Sequence, residues 1–300
     1  MKVVVAGATG VIGRRLVPQL AAAGHEVVQL SRSTGTDLLG RDAVRRAVQA
    51  AEPGAVVHMA TAIPADLNPK KIARQFELTN RLRTEGTRNL LDAAADVGVR
   101  RVITQGLAYA YEPGRGVADE DAPLWVRPPA QLAPVLAALQ ELERRTLDAK
   151  GLVLRFGHLY GPSSAYAPDG STTRQVRGRK FPIAGNGDSV LSFTHADDAA
   201  SAVVAALRGN DAGILNIVDD TPVAIGQWLP AFASMLGAPQ PQRVPAALVR
   251  LAAGGWGAAF MTQLRGASNA RAKAALDWQP RFPSWIEGFA SMYSGQPHDS

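Results

Sequence analysis

The 300-residue sequence contains no cysteine, which excludes a disulfide framework, thiolate nucleophiles and thiolate metal sites. No apolar run reaches the ~18 residues that a transmembrane helix requires. The apolar start passes directly into a glycine-rich turn with no cleavage site, so a cytoplasmic location is expected and a signal peptide is not. Lysine occurs only at positions 2, 70, 71, 150, 180 and 273, so the formal charge of +6 is carried by arginine. Abundant alanine and arginine point to a GC-rich bacterial genome rather than a nucleic-acid partner. The one dense basic stretch, residues 174–180, is too short to argue for DNA. Internal repeats and low-complexity tracts are missing. With 46% apolar and 19% charged residues, the composition is that of a folded globular protein. The length suits one large α/β domain or two small ones.

What is present is organised around residues 2–13, Lys-Val-Val-Val-Ala-Gly-Ala-Thr-Gly-Val-Ile-Gly. Val3, Val4, Val5 and Ala6 form a β-branched apolar run that reads as a strand buried on both faces. Gly7, Gly10 and Gly13 follow at three-residue spacing, enclosing Thr9, Val11 and Ile12, and residues 14–23 read as a helix. In such a turn one glycine permits the bend, one lets a pyrophosphate approach the backbone, and one lets the helix pack against the strand. The free N–H groups at the helix start face the phosphates.

Strand two, residues 25–30, ends in Ser31-Arg32-Ser33. A dinucleotide fold that prefers NAD places a carboxylate about 20 residues beyond the glycines, on the ribose hydroxyls. A guanidinium flanked by hydroxyls suits a 2′-phosphate instead, so NADP(H) is favoured over NAD(H). A helix over 41–51, a third strand over 55–59 and a long helical region over 69–97 follow, then a fourth strand over 100–105. His58, inside an apolar strand, reads as structural. The small residues Ala60 and Thr61 let a cofactor lie against the sheet edge, while Asn80 faces inward on the helical spacing. The alternation predicts a Rossmann-type α/β fold, a doubly wound parallel sheet with helices on both faces.

The ordered set Gly7 to Gly13, Asp37-Leu38, His58-Met59-Ala60, residues 85–91, residues 154–162, residues 192–198, Asn269 and residues 276–280 resembles the extended short-chain dehydrogenase/reductases of the NAD-dependent epimerase/dehydratase group. The resemblance covers nearly the whole chain. It implies that the glycine loop, Arg32, Asp37, Leu38, Ala60 and Asn80 touch the cofactor; Thr61 and Gln105 complete the candidate set. It further implies a nucleotide-binding core over 1–160 with 190–220 returning to the sheet. A smaller C-terminal substrate-binding lobe would then comprise 161–189 and 221–300. His195 with Asp197 and Asp198 reads by the same match as a turn that caps the next helix, with no metal expected.

The departures concern the chemistry. The resemblance implies a Ser/Thr after strand four and a Tyr-x-x-x-Lys on the next helix, whose lysine brings the phenol towards neutrality. No tyrosine stands four residues before any lysine, and residues 131–149 contain neither type. Gly106-Leu107 stand where the serine pair belongs. His158, with an ordinary pKa of ~6.5, and Tyr111 are the leading replacement acids, followed by Tyr109. Leu107, Tyr160, Phe260 and Met261 are the candidate substrate contacts, and Asp119, Glu120 and Asp121 read as a solvated acidic loop. The expected partner is a small hydrophobic carbonyl or hydroxyl compound, with no nucleic acid or membrane and a homodimer as the candidate assembly. Three functions fit: an atypical NADP(H)-dependent reductase, the reading preferred; a cofactor-retaining isomerase, dehydratase or cyclase; or a nucleotide-sensing binding protein without turnover.

Overall fold

The computed structural model describes residues 1–293. Six strands form one parallel sheet: β1 (Lys2–Ala6), β2 (Glu26–Leu30), β3 (Ala55–His58), β4 (Arg101–Leu107), β5 (Leu152–Phe156) and β6 (Gly213–Ile217), in the order β6-β5-β4-β3-β1-β2. Both neighbours of β1 run parallel to it, so the chain winds outward in two directions from the first strand. That reversal of strand order is where α/β sheets bind ligands, outside the carboxyl ends of the strands.

The period-two alternation of β1 decides which helices cover which face. Val3 and Val5 pack with Leu16 and Leu20 of α1 (Gly13–Ala22) and with residues of α5 (Ala196–Ala206). Val4 and Ala6 pack with Val44 and Val48 of α2 (Arg41–Ala51) and with Leu90 and Ala94 of α3 (Thr87–Asp96). Each of the three valines is fully buried, a gain of ~1.5 kcal/mol or more apiece. α4 (Ala133–Asp148) packs against β4 and β5.

The third and largest cluster joins Leu107, Leu132 and Leu136 to Trp228, Phe232 and Phe289. It draws on α6 (Ile225–Met235), α7 (Ala246–Thr262) and α9 (Trp285–Tyr293). Inside α7, Gly254 takes a φ of 79° and breaks the helix; a Cβ there would lie 2.9 Å from Gln131 Nε2.

The helical region expected over 69–97 is built as a series: Pro69–Lys71, Ile72–Gln75, Glu77–Arg81, a π-helical turn Leu82–Gly86 and then α3. The π turn presents the Leu82 carbonyl to His58 Nε2 at 3.2 Å, while the Ala60 N–H donates to Nδ1. His58 is therefore structural, as its sequence context implies, and burial lowers its pKa to about 4. One expectation needs correction, that of a solvated acidic loop. Glu120 is buried, accepts the Asn216 N–H at 2.8 Å and lies 3.4 Å from Arg271 on α8 (Ala270–Leu276).

Candidate functional site

Strand register brings Gly7, Ser31, Met59, Ala108 and Gly157 to one edge of the sheet, each just beyond a strand end. The glycine turn divides its labour there. Gly7 has a φ of +89°, and a Cβ on it would sit 2.5 Å from the Ala60 nitrogen; one on Gly13 would sit 2.2 Å from the Gly7 carbonyl oxygen. Both are therefore dictated by the protein's own backbone. Gly10 differs, since its Cβ would meet only Gly7 O at 3.4 Å, and the residue is exposed. Its bareness leaves room outside the protein, as close approach of a pyrophosphate requires.

The N-terminus of α1 points at the same place. Ile12 provides no side-chain cap and the first turn holds no acid; the Arg14 and Arg15 N–H groups bond back to Gly10 and Ile12, which leaves those of Val11, Ile12 and Gly13 open to an anion. Ile12 itself is in the core, and Thr9 contributes its carbonyl to Arg14 Nε at 2.8 Å. Val11 is partly exposed over the turn. The turn thus fits a dinucleotide pyrophosphate through its backbone.

At the end of β2, Ser31 and Thr34 form a reciprocal capping box, and Ser31 Oγ lies 2.8 Å from Ser33 Oγ. This small rigid turn holds Arg32 outward, exposed and without an ion pair among the described residues. Asp37 is exposed, one carboxylate oxygen accepting the Leu39 N–H at 3.0 Å. Leu38 corrects the expectation for its side chain, which is buried in the core while its carbonyl accepts Asn89 Nδ2 at 2.9 Å. Ala60 and Thr61 lie at the open edge beyond β3. Gln105 is buried on β4, and Asn80 keeps a buried Oδ1 without a partner, free to accept from a ligand.

Beyond β4 and β5, Tyr109 stacks on His158, ring centroids 4.3 Å apart and planes 14° from parallel. Phe260 meets the imidazole edge-on at 5.6 Å. His158 is buried with Nε2 unpartnered, and desolvation lowers its pKa to about 3. It is a neutral ring at physiological pH, which corrects the expectation of an imidazolium acid. Burial likewise pushes the Tyr109 phenol up, opposed by Arg83.

The position of the absent serine has a physical explanation. A Cβ on Gly106 would lie 2.8 Å from Arg155 Cγ and 3.1 Å from Glu143 Oε1. The space is filled by a buried ion pair, Arg155 Nε and Nη2 donating to Glu143 at 2.8 and 2.6 Å. Arg155 also lies 4.9 Å from the centre of the Tyr111 ring. Tyr111 Oη donates to Asn216 Oδ1 at 2.6 Å, so its proton is engaged in this network. Tyr111 is thus a buried structural residue rather than a candidate acid. Tyr160 is corrected too. It is fully buried and stacked on Phe289 at 4.6 Å, sealed by Gly288, where a Cβ would fall 1.7 Å from its hydroxyl. Leu107 and Met261 are core, at 7% and 5% exposure, leaving Phe260 as the expected substrate contact beside the stacked pair. His195 accepts the Asp197 N–H and caps α5, as expected of that turn.

Arg83 escaped the sequence reading. It lies in the π turn with neither Nη atom hydrogen-bonded among the described residues, and the titratable groups it interacts with are Tyr109 and the neutral His58. In the sequence it is one arginine on a polar helical face, and nothing local marks it as buried.

An open glycine turn on an uncapped helix terminus, at the strand-order reversal of a parallel sheet, defines a nucleotide-binding α/β protein. Residues 3–218 match the family model described as NAD dependent epimerase/dehydratase family, and the chain belongs to that family. It is 45% identical to the 3-diazoavenalumate denitrifying reductase of a Streptomyces species, over 96% of this chain and 99% of that one. A human epimerase family protein solved with NADPH superimposes with a TM-score of 0.77 at 22% identity, over 99% and 100% of the two chains. MoeE5 in complex with UDP-glucuronic acid and NAD gives 0.75 at 26% identity, over 98% of each. The chain is an oxidoreductase of the epimerase/dehydratase type.

Proposed function

We propose that this protein is an NADPH-dependent reductase whose substrate accepts hydride without needing a proton from the enzyme, an arenediazonium ion being the fitting class. The carrying observation is the wall beyond β4 and β5: an aromatic stack of Tyr109, His158 and Phe260 that holds no imidazolium and no phenol activated towards neutrality. His158 is neutral, and the Tyr109 phenol is held protonated by burial. Reduction of a carbonyl leaves an alkoxide that an acid must quench. Reductive loss of a diazo group leaves none, because arenediazonium and NADPH balance to arene, dinitrogen and NADP⁺. The name of the 45%-identical relative, a denitrifying reductase of a diazo compound, supports this class.

Bound NADPH would supply the hydride. The chain's own part is to hold the pyrophosphate on the Gly7–Gly13 turn and the 2′-phosphate on Arg32. Asp37 and Asn80 would anchor the nucleosides, and the aromatic wall would exclude water from the acceptor. The test is anaerobic incubation with NADPH and diazotised 3-aminocinnamate, a true arenediazonium ion, against heat-denatured protein. The expected result is one dinitrogen released per NADPH oxidised, with simple aldehydes and ketones untouched. Rapid carbonyl turnover would overturn the diazonium assignment, and bound but unoxidised NADPH would overturn reduction altogether.

A further inference from the structure

Arg83 is the feature that the proposed reaction leaves unused. It is 2% exposed, among the largest fully buried side chains, and both terminal nitrogens lack a hydrogen-bond partner. No carboxylate among the described residues pairs with it, and the buried Glu143 of α4 is already committed to Arg155 in a two-point contact. Burial lowers its pKa only to about 10, so the guanidinium stays charged at neutral pH. An unpaired buried charge is strongly unfavourable unless a partner arrives. Two titratable groups interact with it, the neutral His58 and Tyr109, and Tyr109 belongs to the stack with His158. The cofactor's phosphates fit the other end of the site, at the glycine turn and Arg32, and a nicotinamide riboside brings no anionic group.

We propose that the guanidinium of Arg83, buried without a partner beside Tyr109, is the receptor for a carboxylate on the substrate, so that the enzyme takes aromatic or alkenoic acids rather than neutral compounds. The planar five-donor fork of arginine matches a carboxylate at two points, and the flanking Tyr109, His158 and Phe260 rings suit a flat conjugated body. A diphosphate would call for further cations, and none of the neighbouring groups named here is one. The placement of the substrate rests on the functional reading above, but recognition can be measured without turnover.

The experiment titrates cinnamate and the isosteric, uncharged cinnamamide into protein holding NADP⁺, using wild type, Arg83→Met and Arg83→Lys. Wild type is expected to prefer the acid by ~30-fold or more, the scale of losing one partner of a buried charged hydrogen bond. Arg83→Met should abolish that preference and leave NADP⁺ affinity within about twofold. Its melting temperature should rise by ~2–5 °C, because an uncompensated buried charge is gone. Arg83→Lys should keep only part of the preference, because the charge remains while the two-point fork is lost. Equal wild-type affinity for acid and amide would overturn the proposal, as would displacement of cinnamate by UDP. A parallel loss of NADP⁺ by Arg83→Met would also overturn it, assigning the arginine to the cofactor. Arg83-dependent preference for the acid without diazonium turnover would leave this inference standing and remove only the reduction.

Discussion

At the scale of single residues, the cofactor choice and the missing acid are separable. Arg32 projects, exposed, from a capped turn with no ion pair among the described residues, so Arg32→Ala should weaken NADPH ~10–100-fold, the worth of a hydrogen-bonded charge pair. NADH affinity should stay within about twofold, measured by fluorescence titration; equal losses for both would refute a 2′-phosphate contact. Tyr109 and Tyr111 are two residues apart but have opposite fates. Tyr111→Phe leaves Asn216 Oδ1 buried without its donor, costing ~1–3 kcal/mol of stability with nucleotide affinity intact. Tyr109→Phe should leave diazonium turnover within about threefold, whereas a phenolic proton donor would be worth ~100-fold or more. Sequence alone could not separate these tyrosines. The partner that engages Tyr111 is 105 positions away on β6, and the arginine beside Tyr109 sits on an unremarkable helical face. Glu120 was read as solvated for the same reason, its partners Asn216 and Arg271 being remote in the chain.

At the scale of elements, the first strand, its turn and the first helix were legible because their determinants are local: β-branched residues, glycine spacing, an apolar helical stripe. The paired faces of the sheet follow from period-two alternation alone. The π turn was not legible, because it is set by contacts that His58 and α4 make with it after folding. The turn also offers a clean test of what each glycine does. Gly13→Ala drives a Cβ to 2.2 Å from Gly7 O, so it should unfold or strongly destabilise the protein, at ~1–3 kcal/mol or beyond. Gly10→Ala meets nothing closer than 3.4 Å, so its melting temperature should match wild type while nucleotide binding falls by an order of magnitude or more. Calorimetry alongside titration reads both. A stable Gly10→Ala protein with undiminished nucleotide affinity would remove the pyrophosphate from this turn.

For the whole molecule, burial of titratable groups sets a pH window for stability. His58, His158 and His195 are held neutral, with pKa values lowered to about 4, 3 and 4 against an ordinary 6.5. Below pH 6.5 the unfolded chain takes up protons on these rings and the folded chain does not. Their contribution is therefore complete above 6.5 and is lost as pH falls towards 4. Asp219 runs the other way. It is buried, and desolvation outweighs the opposing backbone N–H groups of Phe193, Trp285 and Thr221 and raises its pKa to about 8, so the folded state keeps a proton that the unfolded state has shed. Its contribution is complete below the ordinary carboxylate range and disappears as pH rises through 8. Between about pH 4.5 and 6, three histidines against one carboxylate leave a net uptake approaching two protons on unfolding. Stability should therefore fall by up to roughly 3 kcal/mol per pH unit on acidification. At pH 6.5 the three unfolded rings are half-protonated and take up about 1.5 protons against the one that Asp219 releases, so stability should peak near pH 7 and decline gently from there towards 8. Urea denaturation from pH 4.5 to 9 measures both limbs. Asp219→Asn should flatten the alkaline limb and steepen the acid one, because a neutral amide no longer releases a proton on unfolding. An acid limb that is unchanged in that variant would show that the carboxylate is already ionised in the folded protein.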